Sequence, residues 1–436
     1  MESLLQLPLT LLAFVFVLGV VIFVHEAGHM LVAKAFGVRV LTFSLGFGHR
    51  LLGFRRGDTD YRISAIPLGG YVRMSGEMPE EGEDSDDPAD FLNKPRWQRF
   101  LIYLAGPAMN AVLTWAVVTV LFVVGFNLPM APGGPATVSA VDPDSSAATA
   151  GLQPGDVLEK VRGEAIGSWD DAQVLLMTSR GNPVDLVVRR GEETFETTVE
   201  PQPIPGSELT DTAGILPETV LSVSQLTPGK PAEAAGFRIG DQLIAAGGEP
   251  ITTFDVFIGV ISSHPGEAVP VEIRRNDRLM ELEVTPEDQG GRGVIGLGAG
   301  FRQQYSLGTA AVKSLEYSWR LVDQTLFVLK NIFRRNIAAQ DALSGPVQIA
   351  QISGQAARQG FDSLLHLTAI ISISIGLLNL MPIPLLDGGQ MTILAVEGAA
   401  GRDLPLKAKE VINIIGFGLV MLLMAAVIFM DIAKLF

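Results

Sequence analysis

The five residues His25-Glu26-Ala27-Gly28-His29 could bind a divalent metal ion. Because the two histidines are four residues apart, both imidazoles project from one face of a helix and can share one ion, with Glu26 beside it. Residues 3–24 carry no charge, and residues 30–33 continue apolar after the motif. Ionisable groups at membrane depth cost several kcal/mol unless paired, so the location favours a functional site over a helix end that emerges into water.

Hydrolytic zinc usually has three protein ligands and a water, so two histidines leave one ligand to be found. The chain has no cysteine, and its other histidines are at positions 49, 264 and 366, where we expect ordinary polar residues. Asp387 is a better candidate, since the third apolar segment ends there and returns to the side of the membrane on which the first ends. The sequence therefore predicts that Asp387 completes a zinc site.

Two prolines, Pro382 and Pro384, precede this aspartate within the run Asn-Leu-Met-Pro-Ile-Pro-Leu-Leu-Asp-Gly-Gly at residues 379–389. Proline lacks the backbone donor of a helix, so the helix must break here. Irregular backbone at membrane depth is tolerated only where protein or a water-filled cavity surrounds it. A carboxylate beside a broken helix is what a third zinc ligand would look like.

Composition indicates a membrane protein, because 48% of the 436 residues are hydrophobic, 18% are charged and the mean hydropathy is +0.34. Each apolar segment is about 20 residues or longer, enough to cross a hydrocarbon core of roughly 30 Å. The four predicted spans are residues 3–24, 100–126, 363–386 and 411–430. The first lacks a basic leader and a cleavage site, so we expect a retained helix. A net charge of -15 argues against nucleic-acid binding.

Orientation follows from the lysines and arginines near the span ends. Lys34, Arg39, Lys94, Arg96 and Arg99 flank the loop between the first two spans, whereas the next basic residue after the second span is Lys160. We therefore expect the basic loops in the cytoplasm, and both termini and residues 127–362 outside.

The long external segment contains a repeat with a constant offset of 85 residues. Ala-Gly-Leu-Gln-Pro-Gly-Asp at 150–156 matches Ala-Gly-Phe-Arg-Ile-Gly-Asp at 235–241, and the same offset pairs Trp169 with Phe254. A gapless offset over some fifty residues predicts two copies of one domain. The pattern resembles bacterial PDZ domains, which bind extended peptides at a sheet edge; the alternative is that one or both copies act only as spacers. We expect the acidic stretch 77–90 to be a solvated insert, and residues 307–336 to form a helix on the domain or membrane surface.

Taken in order, the motifs resemble the site-2 protease family of intramembrane zinc metalloproteases. They include the motif at 25–29, Gly46-Phe47-Gly48, residues 67–72, Ala105-Gly106-Pro107 with Asn110, the tandem PDZ units, residues 343–346 and the run at 379–389. The resemblance implies that His25, His29 and Asp387 bind one Zn²⁺ ion and that Glu26 is the catalytic acid and base.

The resemblance also assigns substrate contacts, which include Asn379 and the two prolines Pro382 and Pro384. Gly69, Gly70 and Tyr71 would belong to a membrane-associated β-loop that offers a strand edge to substrate. Gln390 departs from the family, where close relatives often have histidine, and this puts any outer-shell role of that position in doubt.

The predicted fold is a polytopic α-helical membrane protein with four transmembrane helices, a membrane-associated β-loop and two tandem periplasmic PDZ (α+β) domains. The predicted segments are 1–36 (first span), 37–98 (cytoplasmic loop with β-loop and acidic insert), 99–127 (second span), 133–205 and 215–300 (PDZ domains), 303–362 (amphipathic helical segment), 363–390 (third span with Asp387) and 391–436 (cytoplasmic loop and fourth span).

The implied function is cleavage of a peptide bond within the transmembrane segment of single-span substrates in the bacterial inner membrane. The resemblance implies a pre-trimmed anti-sigma factor of the sigma-E envelope stress response and signal-peptide remnants as partners, with the PDZ pair as a size filter. The active site would lie near the cytoplasmic side. An alternative is a membrane scaffold with peptide-binding PDZ domains and a non-catalytic zinc site, which would not need Glu26. A zinc transporter would need more histidines and carboxylates along the spans.

Overall fold

The computed structural model describes residues 2–77, 86–127, 135–204, 209–217, 221–251, 254–275, 278–300, 302–338 and 345–433. The chain divides into two compact units. The first comprises residues 1–121, 311–323 and 343–436, and the second comprises residues 122–310 and 324–342.

The helices are α1 (Glu2–Ala35), α2 (Arg96–Val124), α3 (Ser146–Thr149), α4 (Trp169–Met177), α5 (Pro231–Ala234), α6 (Phe254–Ser262), α7 (Leu307–Phe333), α8 (Pro346–Gln359), α9 (Phe361–Asn379), α10 (Asp387–Ala400) and α11 (Leu406–Ala433). The strands are β1 (Val40–Arg56), β2 (Thr59–Met74), β3 (Phe126–Asn127), β4 (Ala136–Val141), β5 (Val157–Val161), β6 (Glu164–Ala165), β7 (Val184–Arg190), β8 (Glu193–Val199), β9 (Ile215–Pro217), β10 (Ser222–Leu226), β11 (Gln242–Ala246), β12 (Glu249–Pro250), β13 (Val269–Arg275), β14 (Arg278–Val284), β15 (Glu287–Asp288), β16 (Gly293–Val294), β17 (Leu297–Gly300) and β18 (Arg302–Gln303).

Four helices of the described chain are long and apolar enough to cross a membrane, as the sequence predicts. Their apolar parts are Leu7–Ala35, Arg96–Val124, Phe361–Asn379 and Lys407–Phe429. Each has at least 18 residues, the length that a spanning helix requires. The protein is therefore a membrane protein with four apolar helices.

The third predicted span, 363–390, is wrong in its second half. Helix α9 ends at Asn379, and a separate helix, α10, begins at Asp387. Pro382 and Pro384 lie in the intervening turn, where neither can donate a helical hydrogen bond, and Leu385 adopts a left-handed conformation with φ of 83°. Asp387 therefore begins a new helix instead of ending the span.

The predicted amphipathic segment 303–362 also consists of two helices, α7 and α8. Helix α7 carries a stripe of exposed apolar side chains at helical spacing, which comprises Val312, Leu315, Trp319, Leu326 and Phe333. Residues 339–344, between the two helices, lie outside the described residues.

Strands β1 and β2 form a long hairpin in the first unit. Each strand bends, so that residues 42–45 lie opposite both residues 70–73 and residues 60–63, while residues 50–56 lie opposite residues 59–64. The tip exposes Leu51, Leu52 and Phe54. The acidic stretch predicted to be solvated follows this hairpin, but Asp90 is buried at its far end. Residues 78–85 lie outside the described part of the chain.

Small residues and hydroxyls hold α2 against its neighbours in the first unit. A Cβ atom built on Gly28 would lie 2.4 Å from the backbone oxygen of Ala105, so α1 and α2 are in close contact there. The Thr114 hydroxyl donates to the Ala369 carbonyl, and the Ser372 hydroxyl donates to the Asn110 carbonyl, at 3.0 Å each. These bonds join α2 to α9 and fix the helices that carry the candidate site.

The second unit contains two sheets with the same strand order, β8-β7-β5-β4-β9 and β14-β13-β11-β10-β17. The bounds of α4 and α6, of β7 and β13, and of β8 and β14 differ by 85 residues at both ends. Each sheet and its helices enclose a separate apolar core. We call these two subdomains the first and second repeats.

Each repeat contains a buried aspartate held by a bidentate arginine. Asp156 accepts two bonds from Arg190, at 2.7 and 2.8 Å. Asp241 accepts two bonds from Arg275, at 2.6 Å each. The members of each pair stand 85 residues from their counterparts, so the shared Gly-Asp signature has one structural role, which is to anchor the turn before the central strand.

Candidate metal centre

Three side chains of the first unit converge so that one ligand atom of each lies within 4.8 Å of the others. His25 Nε2 is 3.1 Å from Asp387 Oδ2, His29 Nε2 is 3.4 Å from Asp387 Oδ1, and the two Nε2 atoms are 3.2 Å apart. Ligands at zinc distances of 2.0–2.1 Å stand about 3.3 Å apart along the edges of a tetrahedron. We call these three residues the metal cluster, and their spacing fits one tetrahedral ion.

Helix periodicity places the two imidazoles, and a tight turn places the carboxylate. His25 and His29 follow one another on the buried face of α1. Asp387 is the first residue of α10. A Cβ atom on Gly388 would lie 2.2 Å from the Leu380 oxygen, and one on Gly389 would lie 2.1 Å from the Ile383 oxygen. Glycine at both positions therefore allows the turn to pack against α10 and brings Asp387 to the histidines.

The second nitrogen of His29 is held by α2. Its Nδ1 lies 2.7 Å from the Ile102 carbonyl oxygen, which can only accept a hydrogen bond. Nδ1 is therefore protonated, and the lone pair of Nε2 faces the cluster. Such an outer partner fixes the tautomer and the ring orientation of a metal-binding histidine.

The second nitrogen of His25 faces Asn110, which is fully buried on α2. The Asn110 amide nitrogen is placed 3.2 Å from His25 Nδ1, while the amide oxygen is buried without a hydrogen-bond partner. The two ends of an amide are assigned from the hydrogen-bond network. Exchanging them lets the oxygen accept the Nδ1 proton, which removes the orphaned atom and directs the Nε2 lone pair towards the cluster. The donor set therefore fits a divalent ion.

Gly106 on α2 lies against both imidazoles. A Cβ atom there would be 2.2 Å from His29 Nε2 and 2.8 Å from His25 Cε1. Real side chains do not approach so closely, so glycine is required for α2 to pack over the cluster.

Glu26, next to His25 on α1, is half-buried and faces strand β2. A Cβ atom on Gly70 would lie 2.9 Å from Glu26 Cγ and 2.7 Å from a methyl carbon of Ile22. The backbone of residues 70–73 therefore runs directly past the carboxylate. Among the predicted substrate-contact residues, Gly70 is the one that this geometry places beside Glu26.

The other predicted substrate-contact residues have varied surroundings. Gly69 has φ of 147°, and a Cβ there would clash with the Phe47 ring. The Tyr71 ring stacks on Phe47 at 6.0 Å, and its hydroxyl bonds to Arg62. Asn379 is the half-buried last residue of α9. Pro382 is exposed, and Pro384 packs against Gly416 of α11. Their contact with substrate stays a prediction.

Glu77 follows β2 and lies within electrostatic reach of the cluster. Burial raises the pKa of its carboxyl to about 7, and the charges of Glu26 and Asp387 act in the same direction. The Met74 backbone N–H donates to it at 3.3 Å, which lowers the pKa. This residue lies in the acidic stretch for which the sequence predicted no buried role.

Gln390 and two of the remaining histidines have partners of their own. The Gln390 amide donates to Asn413 Oδ1 of α11 at 3.0 Å. His366 Nε2 lies 2.8 Å from the Tyr317 hydroxyl, and His264 Nδ1 lies 2.8 Å from the Val260 carbonyl. His49 is exposed.

Sequence reasoning gave no role to Ile102, Gly106 or Asn110, which surround the two imidazoles. The signal was present as Ala-Gly-Pro followed by asparagine at residues 105–110, an unusual group of small and polar residues in an apolar helix. Its partner was not readable, because His25 and Asn110 are 85 residues apart.

Four apolar helices and two imidazoles that face one carboxylate are features of a membrane-embedded metallopeptidase. The chain belongs to peptidase family M50, whose profile matches residues 13–423. A protein of Neisseria meningitidis with zinc metalloprotease in its name is 32% identical, over 98% of this chain and 99% of that one. The regulator of sigma-E protease RseP of Escherichia coli is 32% identical over 98% of each chain. Protease RseP of Yersinia pestis is 31% identical over 98% of this chain and 99% of its own.

Proposed function

We propose that this chain is an intramembrane zinc metalloprotease that hydrolyses a peptide bond within the transmembrane segment of single-span proteins. The observation that carries this proposal is the metal cluster, formed on apolar helices with Glu26 beside it. Membership of peptidase family M50 supports peptide hydrolysis, and the names of the relatives support zinc.

His25, His29 and Asp387 would hold one Zn²⁺ ion. When bound, zinc supplies an activated water at neutral pH and polarises the scissile carbonyl. Glu26 would accept a proton from the attacking water and donate it to the leaving amide nitrogen. Asn110 and the Ile102 carbonyl would keep both imidazoles in the tautomer that binds metal.

Residues 70–73 would position the substrate. A peptide bond in a membrane helix is shielded by its own hydrogen bonds, so the helix must unwind before attack, and its freed backbone groups need partners. A strand that runs past Glu26 can supply them by β-addition. The proximity of Gly70 to Glu26 supports this role, because a substrate strand there would pass close to the acid and base.

We infer a bacterial inner-membrane location, with both termini and the two repeats in the periplasm and the metal cluster near the cytoplasmic side. The distribution of basic residues supports this orientation. We also infer that the repeats are PDZ domains, since each pairs an exposed sheet edge with a short helix, and that they limit substrate size. By the sigma-E names of its relatives, an anti-sigma factor with a trimmed external part is the proposed substrate, together with signal-peptide remnants.

The test is Glu26→Gln, with cleavage of a model single-span substrate and bound zinc measured on the same full-length preparation. We expect cleavage to fall by at least about a hundredfold, the usual effect of removing a general acid and base, while zinc is retained. Glu316→Gln, which alters an exposed glutamate of α7, is the matched control and should cleave normally. Unchanged cleavage in Glu26→Gln would exclude this residue from the mechanism. A wild-type protein that binds zinc and cleaves no membrane substrate would favour a scaffold.

A further inference from the structure

A cavity of about 440 Å³ lies in the second unit, on the surface of the first repeat. Its walls come from the turn between β5 and β6, the C-terminal end of α4, and the chain that follows α7. The lining residues are Arg162, Thr178, Ser179, Arg180, Asn182, Ile332, Arg335, Asn336, Ile337 and Ala338. Three of these are arginines, and none is an aspartate or glutamate. The size is typical of a site for a small molecule.

The three arginines share an uncommon backbone conformation. Arg162, Arg180 and Arg335 have φ of 53°, 57° and 60°, in the left-handed region. Each such residue costs roughly 1 kcal/mol or more relative to a glycine. Among the described residues other than glycine, the remaining examples of positive φ are Ala213 and Leu385. Three arginines on three separate turns therefore accept backbone strain around one cavity.

The positive charge of this cavity has little compensation. Arg162 is half-buried, and its Nη1 atom is buried without a hydrogen-bond partner. Glu164 follows two residues later, but its carboxylate already accepts from Arg334 at 2.5 Å, Lys330 at 3.0 Å and Asn336 at 3.1 Å. Burial lowers the pKa of the Arg162 guanidinium, yet arginine stays charged at neutral pH. A buried cation with a free donor requires an anion.

The hydroxyl and amide protons of the lining are engaged elsewhere. The Thr178 hydroxyl donates to the Val174 carbonyl at 2.7 Å, and Ser179 shares a 3.0 Å bond with the Thr210 hydroxyl. The Asn182 amide donates to the Ser179 carbonyl at 2.8 Å. The guanidinium groups are therefore the donors through which this cavity can hold a ligand.

The second repeat lacks these charges at the equivalent positions. At the offset of 85, Gly247 stands for Arg162, Pro265 for Arg180 and Glu267 for Asn182. The fold of the repeat therefore does not require the arginines, because the second repeat forms the same sheet without them.

We propose that this cavity binds a phosphate-bearing anion through Arg162 and Arg335. Guanidinium forks match the geometry of phosphate, which offers oxygens to donors from several directions at once. The volume leaves room for more than the phosphate group, so the ligand is either inorganic phosphate or the headgroup of an anionic phospholipid. The proposal is independent of proteolysis and of the metal cluster.

The experiment uses the full-length protein in a maltoside detergent, titrated calorimetrically with inorganic phosphate and, separately, with short-chain phosphatidylglycerol. Each lost charge-assisted contact weakens binding by about tenfold. We therefore expect Arg335→Gln, at an exposed position, to weaken binding about tenfold, and Arg162→Gln with Arg335→Gln to weaken it further. The matched control, Arg274→Gln with Arg278→Gln in the second repeat, should bind as the unaltered protein does.

The two ligands distinguish the source of the phosphate. Saturable binding of inorganic phosphate that depends on the two arginines supports a free anion. Binding of phosphatidylglycerol alone, with the same dependence and none for phosphatidylcholine, supports a headgroup. The proposal is wrong if neither ligand binds, if binding is equal in Arg335→Gln, or if acetate binds as well as phosphate. Thermal unfolding of Arg335→Gln, compared with the control, verifies that the fold is intact.

Discussion

At the scale of single residues, the metal cluster depends on α2 as much as on the predicted ligands. The Ile102 carbonyl fixes the protonation of His29, and Asn110 can do the same for His25. Gly106 lies between these contacts and lets α2 approach both rings. Outer partners of this kind alter metal affinity by about 10–100-fold in other proteins. The helix behind the histidines should therefore control whether the site binds zinc at all.

The most direct test at this scale is Gly106→Ala. The added methyl group would lie 2.2 Å from His29 Nε2, so either the imidazoles or α2 must move. We expect zinc affinity to fall by at least about tenfold, measured as retention against a chelator. Gly19→Ala is the matched control, since a Cβ there meets nothing within 4 Å. Equal zinc retention in the two variants would show that α2 does not constrain the site.

At the scale of elements, a buried carboxylate on the last helix caps a helix far away in sequence. Asp431 of α11 is buried and accepts from the backbone N–H groups of Gly345, Val347 and Gln348 at 3.1–3.2 Å. The first N–H groups of a helix have no partner within the helix, and a carboxylate there also interacts favourably with the helix dipole. A Cβ on Gly345 would lie 2.4 Å from Asp431 Oδ2, which explains the glycine at this position.

Removing this cap should loosen α8. We expect Asp431→Ala to leave three backbone donors without an acceptor and to destabilise the start of α8 by about 1–3 kcal/mol. Hydrogen exchange at Val347 and Gln348 should accelerate accordingly, and Asp431→Asn, which keeps one acceptor oxygen, should fall between the two. Asp362→Asn, at an exposed position on α9, is the control. Unchanged exchange in Asp431→Ala would mean that water replaces the carboxylate without cost.

Local spacing was readable from the sequence at this scale, whereas contacts between distant elements were not. The four-residue spacing of His25 and His29 predicted a shared face, and the parity of the spans predicted that Asp387 returns to their side. The prolines predicted the break after α9. The start of α10 at Asp387 was missed, because residues 363–386 read as one apolar run. The cap by Asp431 was also missed, since a lone aspartate after a span has no partner visible in the sequence.

At the scale of the whole molecule, the two repeats keep their fold while their surfaces diverge. The Asp156–Arg190 and Asp241–Arg275 pairs are the same interaction at an offset of 85. Glu164 and its counterpart Glu249 differ. Glu164 is buried and bound by residues that follow α7, with Ile337 inserted into the first core, whereas Glu249 is exposed. The repeat predicted the common interaction, but it could not predict that only one copy would hold a further segment of the chain.

This difference predicts a pH dependence that is confined to the first repeat. Hydrogen bonds from Arg334 and Lys330 lower the pKa of Glu164 from its ordinary value of 4.5. A carboxyl with a lowered pKa contributes stability above its unfolded pKa and loses it as the pH falls through the folded one. We therefore expect residues 330–337 to lose protection from hydrogen exchange below pH 4.5, after correction for the intrinsic exchange rate. Glu164→Gln should be less protected at neutral pH and should lose the acid transition, while Glu249→Gln should behave as the unaltered protein does. A transition that persists in Glu164→Gln would assign the pH dependence to another group.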